Sequence, residues 1–333
     1  MKIALNLGTS GLQVLVLFIL SACSQPESKP LVHFQHASEG EINSHLSQQA
    51  EWLISLTPSG KAAVWQIPSR SLTYLWQQSS EPNTPLILAD ISIHKNYAVT
   101  ASQTEFALWN VHSGKNLGYW QVKDSNIRDI SLSKAAQWLA VGLDDGQVLL
   151  LNINKNKTLY LKNHSSAVTS VSFSANGQFL ITASQDQNLF IIDLATQKTH
   201  YHLQLEGPIK RAQFISDRYF AVFTLQQGYL YDLSFKTNAI TLPLPEQKAF
   251  ITDVRLSANQ KWLAASAANR KVLLWRTEDG QLVKNWSVSA KNNRYYDGAT
   301  VNSLAFSQQN GETLIVTSST TGLTEYWQVP NGQ

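Results

Sequence analysis

The chain has 333 residues, with 26 Lys and Arg against 23 Asp and Glu, 8 His and a formal charge of +3. That balance argues against an electrostatic nucleic-acid binder, for which a clustered basic face is expected. A single cysteine leaves no disulfide framework and no cysteine metal cage, and charged residues at only 15% leave Ser, Thr, Asn and Gln to cover much of the surface.

In chain order, the first element reads as an export signal. Lys2 gives a short positive start, residues 14–20 are all apolar, and the small Ser21 and Ala22 follow. It is not a membrane span: Asn6, Gly8, Thr9, Ser10, Gly11 and Gln13 interrupt the run upstream, and a spanning helix needs about 20 mostly apolar residues. "LSAC", residues 20–23, resembles the bacterial lipobox. The resemblance implies that Cys23 carries a diacylglyceryl group and becomes the first residue after cleavage; the bland alternative is an ordinary secretory signal with an incidental cysteine. Residues 1–22 are thus a lipoprotein signal peptide, 23–30 the lipidated cysteine and a short linker, and 31–333 the folded part. Lys2 is the only charge removed, leaving 25 basic and 23 acidic side chains.

The folded part repeats. "NIRDISLSKAAQWLAVGLDDGQVLLLNI" (126–153) and "AVTSVSFSANGQFLITASQDQNLFIIDL" (167–194) align without a gap. Each holds three short runs rich in Val, Ile, Leu and Phe, separated by turn residues. The frame extends to seven equivalent third strands, centred on Trp65, Trp109, Leu151, Ile192, Tyr231, Trp275 and Trp327, at spacings of 44, 42, 41, 39, 44 and 52. A period of about 40 to 45 with four strands per unit is that of a β-propeller blade. Trp52, Trp138 and Trp262 each lie 13 residues before such a position, and Trp76, Trp120 and Trp286 each lie 11 after one. Fixed spacing from a core position favours packing between blades over a sugar or cation cage.

These residues resemble the WD-repeat family across essentially the whole chain from Leu31. "IDL" with Asp193 and "YDL" with Asp232 stand where that family has its Trp-Asp pair, while the blades of Trp65, Trp109, Trp275 and Trp327 keep the tryptophan and lose the aspartate. Asp145 and Asp186 take the family's turn aspartate and His164 its Gly-His histidine. No blade carries the full Asp, His, Ser/Thr and Trp set. The expected fold is an all-β, seven-bladed propeller of four-stranded antiparallel blades. After Trp327 too few residues remain for a fourth strand, so residues 31–36 are expected to complete blade seven, as the N-terminal clasp of related propellers does, leaving no open sheet edge. The seven residues from Ser24 to Pro30 reach about 24 Å fully extended, so the propeller rides close to its membrane. If the family's strand directions hold, the face carrying the second-to-third-strand and inter-blade loops points away from the bilayer.

The strong catalytic and metal signatures are absent: no HExxH, GxSxG, P-loop or CxxC. His200 and His202 share one face of an outer strand but lack the further ligands a zinc site needs. Asp144 and Asp145 read as a turn. Stacking the innermost strands puts Asp90, Asp129, Ser170, Arg211, Asp253 and Ser303 at one level, with Asn43 from blade one. That polar ring could hold a cation or an anionic tip, or simply wall a water-filled channel. The surplus between blades six and seven, residues 287–303, presents Lys291, Arg294, Tyr295 and Tyr296, residue types suited to an interface, the alternative being a disordered insertion.

Together these features point to a non-catalytic protein-interaction scaffold anchored by lipid to the bacterial cell envelope, with one or more envelope proteins as partners. No catalytic residue, metal, cofactor, nucleic acid or small-molecule substrate is expected. Ser24 after the cysteine, where aspartate commonly signals inner-membrane retention, favours the outer membrane facing the periplasm. Two alternatives stand: an accessory factor in outer-membrane protein assembly, and an envelope enzyme or glycan-binding propeller using the channel mouth or distal loops.

Overall fold

The computed structural model describes residues 28–78, 84–94, 96–234, 239–245, 249–290 and 299–330. Its strands form seven antiparallel sheets of four, and each sheet is one blade. Blade one runs outward from the channel through Asn43–Leu46, Trp52–Leu56, Lys61–Gln66 and Ser71–Gln77. The next five blades repeat that meander, and the innermost strands contact one another in sequence round to blade seven and back to blade one.

Burial explains the run of residue types. Central strands are covered on both sides by neighbouring blades, so Phe179–Ser184 and Trp262–Ala267 are buried throughout and read as near-continuous apolar runs. Outer strands such as Asn116–Gln121 show one face to solvent and alternate. The recurrent tryptophans do pack between blades. Trp76 of blade one stacks on Trp109 of blade two at 4.9 Å and 5°, and Trp286 of blade six lies against Trp327 of blade seven at 5.8 Å. Trp120 stacks on Phe106 in its own blade and joins an apolar cluster shared with blade three.

Blade seven is completed by the N-terminus, as the sequence leads one to expect. Val32–Gln35 is its outermost strand, beside Leu323–Gln328, Glu312–Ser319 and the innermost Val301–Gln309. Val32 pairs with Tyr326 and Gln35 with Leu323. The N–H groups of Leu31 and His36 extend the ladder to Tyr326 and Gly322.

A buried carboxylate locks this closure. Glu41 accepts hydrogen bonds from His36 Nε2 at 2.8 Å and Ser55 Oγ at 2.6 Å on one oxygen. Its other oxygen accepts from Ser318 Oγ and Asn302 Nδ2, both at 3.1 Å. The Thr324 hydroxyl faces His36 Nδ1 at 3.0 Å, so Nδ1 can accept that hydrogen bond while Nε2–H is donated to Glu41. The His36 and Glu41 side chains are fully buried. One side chain therefore ties the clasp, blade one and blade seven together.

Glu41→Ala would leave these donors without an acceptor, and a buried donor left unsatisfied costs roughly 1–3 kcal/mol. Thermal unfolding of that variant should begin well below the wild type, and removal of residues 31–36 should abolish the single cooperative transition. Unchanged melting in both would mean that the ring closes without the clasp.

Candidate functional site

The channel is walled by innermost strands, and their register is set by a serine turn. Ser47, Ser92, Ser133, Ser174 and Ser257 each accept the N–H of the aromatic residue five positions on, namely Trp52, Tyr97, Trp138, Phe179 and Trp262. Ser216 does the same for Tyr219 three positions on. Counting back from these turns puts Asn43, Asp129, Ser170 and Asp253 at one level. The strand pairing adds Arg211, partnered by Phe223, and Ser303, partnered by Ser318.

Asp90 departs from the expected ring. It pairs with Val99, next to the Ile91–Ala98 pair that leads to Trp109, which makes it equivalent to Ser131 rather than Asp129. It stands two residues further along the channel, level with His45, Gln213 and Arg255. The repeated "DIS" of "LADIS" and "IRDIS" suggests the false match; the serine turns give the true one.

The polar side chains of the channel mostly face the next blade. Asp90 Oδ2 accepts the N–H of Leu132 at 2.7 Å, Asp129 Oδ2 that of Val171 at 2.9 Å, and Ser170 Oγ that of Ala212 at 3.0 Å. Asp253 Oδ2 accepts from Leu304 N at 3.2 Å and Ser303 Oγ at 2.8 Å, while Ser303 Oγ accepts Leu46 N at 3.1 Å. Asn43 Nδ2 donates to the Ile87 carbonyl and Gln213 Nε2 to that of Val254. All seven blade junctions thus carry a side chain to backbone bond, which satisfies inner-strand groups that no sheet ladder reaches.

Ionisable groups in the channel are paired as well. His45 Nε2 lies 3.1 Å from Asp90, Arg211 3.4 Å from Asp129, and Arg255 3.1 Å from Asp253. These groups surround a cavity of about 160 Å³. Burial pushes the Asp129 carboxyl above its ordinary value, and Arg211 offsets only part of this. Burial also pushes Asp253 up, yet Arg255, His45, Arg211 and the Ser303 hydroxyl together outweigh it and hold the group below its ordinary value. A carboxylate already accepting backbone N–H bonds and facing a guanidinium is poorly placed to act as a base.

The WD-type residues divide among blades. Blade four assembles Asp186, His164 and Thr182: His164 Nδ1 lies 3.2 Å from Asp186 and Nε2 lies 3.0 Å from Thr182 Oγ1, with Ile192 in the tryptophan slot. Burial pushes the His164 imidazole down despite Asp186. Blade two has the other half, with Trp109 Nε1 donating to Thr100 and Thr100 to Gln78. In blade seven Trp327 donates to Thr317, and in blade one Glu41 takes the histidine's place against Ser55. Trp275 donates to the Pro243 carbonyl, whereas the buried Trp65 indole N–H has no partner among the described residues. Asp145, Asp193 and Asp232 accept turn N–H groups from Gln147, Thr196 and Ser234.

Other expected positions resolve as packing or lie elsewhere. His200 packs on Phe179 and His202 stacks on Phe190, and among the described residues no group of three or more His, Cys, Asp or Glu is placed to hold a metal ion. Cys23, Lys291, Arg294, Tyr295 and Tyr296 lie outside the described residues.

The two buried aspartates make opposite contributions with pH. Asp253, depressed on folding, contributes stability above its unfolded value near 3.8, and that contribution is lost as pH falls through the lower folded value. Asp129, raised on folding, contributes below 3.8, and its contribution is lost as pH rises through the higher folded value. Asp253→Asn should therefore cost more stability than Asp129→Asn at pH 7, with the gap narrowing below pH 4 in urea unfolding. Equal costs at pH 7 would show that Arg255 and Arg211 do not hold Asp253 below its ordinary value.

The WD40 family, described as WD domain, G-beta repeat, matches residues 155–193 and 240–276. The first match runs from the outer strand of blade three to the third strand of blade four, and the second covers the same phase of blades five and six. No curated protein matches the chain. The fold is a closed seven-bladed propeller, and its repeats resemble those of the WD40 family.

Proposed function

We propose that this protein is a non-catalytic interaction scaffold, held by lipid on Cys23 at the outer membrane of a bacterial cell envelope and facing the periplasm. The observation that carries the non-catalytic reading is the channel: its carboxylates and serines are committed to joining blades. WD40 propellers generally bind other proteins, and partners are accordingly envelope proteins.

The partner surface is the segment bearing Lys291, Arg294, Tyr295 and Tyr296. Support comes from the way both of its ends are held. Arg270 donates its side chain to the Val288 carbonyl and its N–H to that of Ala299. Ser289 N donates to both oxygens of Glu325 at 3.2 Å, and Thr300 N donates to Thr320 Oγ1. Burial raises the Glu325 carboxyl above its ordinary value. A long connection whose two ends are held by the scaffold is where binding residues are usually displayed.

Cys23→Ala should move the protein from the membrane fraction to the soluble fraction after a salt wash. Retention on the membrane would refute the lipid anchor. Crosslinking in intact cells should recover the same partners from wild type and Cys23→Ala at different yields, and lose them in the triple variant Arg294→Ala, Tyr295→Ala, Tyr296→Ala. Full recovery from the triple variant would place the partner surface elsewhere.

A further inference from the structure

Exposed apolar side chains are distributed unevenly round the propeller. Ten large hydrophobic residues are exposed among the described residues, and six of them lie on outermost strands of four consecutive blades. They are Val32 on the clasp, Leu72 and Leu75 on blade one, Leu117 and Tyr119 on blade two, and Tyr160 on blade three. The outermost strands of blades four to six expose only Val283 in this way. Isolated exposed leucines are ordinary, but a one-sided arc marks a contact surface.

The same arc has a basic edge. In a four-stranded meander the first-to-second and third-to-outer turns share one edge of the ring. On blades one to three those turns and the strand starts beside them carry the exposed Arg70, Lys115, Lys155 and Lys157 and the half-buried Lys134. Glu51 is the only carboxylate in those turns among the described residues. On blades four to six the corresponding positions carry the exposed Lys198, Arg218 and Lys261 against Asp217, Glu278 and Asp279, and blade seven adds Glu312. The clasp starts from that edge, with Leu31 itself 53% exposed and Lys29 exposed before it.

We infer that this arc, from the clasp through blade three, docks on the surface of an anionic bilayer, the leucine and tyrosine side chains entering the headgroup region and the lysines and Arg70 meeting lipid phosphates. The inference rests on the lipid-anchor reading, because the tether fixes the occupant. Only seven residues separate Cys23 from Leu31, so the lipid is held within about 24 Å of the arc. Apolar side chains beside cations suit an interface of this kind. At such a range the effective concentration of bilayer is high enough for a weakly apolar surface to stay engaged. The docked propeller rests on one side of its rim, which leaves the opposite edge, with the ends of the 291–298 connection, facing away.

The full-length protein, lipidated in vivo, is reconstituted into vesicles of phosphatidylethanolamine and phosphatidylglycerol. A polarity-sensitive maleimide dye is attached at Leu75→Cys, Leu117→Cys or the exposed Gln204→Cys of blade four's outer strand. A blocked Cys23 leaves each variant with one reactive thiol. The expected result is blue-shifted emission and quenching by brominated lipid at residues 75 and 117 but not at 204. Replacing Arg70, Lys115, Lys155 and Lys157 by Gln should weaken this docking by about fivefold per cation removed. Identical spectra at all three sites on vesicle-bound protein would overturn the docked arc while leaving the anchor intact. Dye reacting at Cys23 in the unsubstituted protein, with no vesicle binding, would overturn the anchor and the docked pose with it.

Discussion

The structure depends on one constraint: a ring of blades must be closed by chain segments that are far apart in sequence. Six blades are local meanders whose strands meet within tens of residues. The seventh exists only when Val32–Gln35 reaches Leu323–Gln328. Without it blade seven would be three-stranded, with an open ladder and a bare apolar face against blade one. Glu41 converts that pairing into a lock, because its four donors come from the clasp, blade one and blade seven. A neutral side chain could not accept four such bonds on two atoms, and a carboxylate without them would not tolerate this burial.

The channel shows the same economy on a smaller scale. Each innermost strand has a sheet partner on one side only, so its other backbone groups face the channel or the next blade. Short polar side chains at two levels bridge to those groups, and the arginines then balance the carboxylates that do so. Polarity in the channel is therefore a consequence of ring geometry before it is a sign of a ligand. The same reasoning accounts for the scattered WD-type set. Blade four keeps histidine, aspartate and threonine, blade two keeps threonine and tryptophan, and each partial set still joins a second strand to a neighbouring segment. With tryptophan stacking and inter-blade side-chain bonds present as well, no blade depends on the complete set.

Period and burial pattern made the fold legible in the sequence, since a blade's central strands must be apolar on both faces and its turns must recur. The closing strand was legible from a deficit of residues after Trp327. Three features were not. Asp90 was placed two residues wrongly because a short repeated "DIS" outweighed the serine turns, although Ser92 followed by Tyr97 matches Ser133 followed by Trp138. Glu41 was missed because nothing local distinguishes it: its partners lie 5, 14, 261 and 277 residues away. The polar ring was seen as a row of residue types, but its bonds run across blades, 42 residues on from Asp90, Asp129 and Ser170, and one-dimensional stacking does not show their direction.

These constraints converge on the N-terminus. The strand that closes the ring is also the first described strand of the chain, so a load on the chain before Val32 is borne by the outermost strand of blade seven. Such a load meets the ladder to Tyr326 before it reaches the far end of the strand, where His36 and Glu41 sit buried. A load entering at the other end of the clasp would instead strain the Glu41 network first. The order of elements, clasp then lock, thus places the most deeply buried bonds at the far end of the closing strand, behind the exposed ladder.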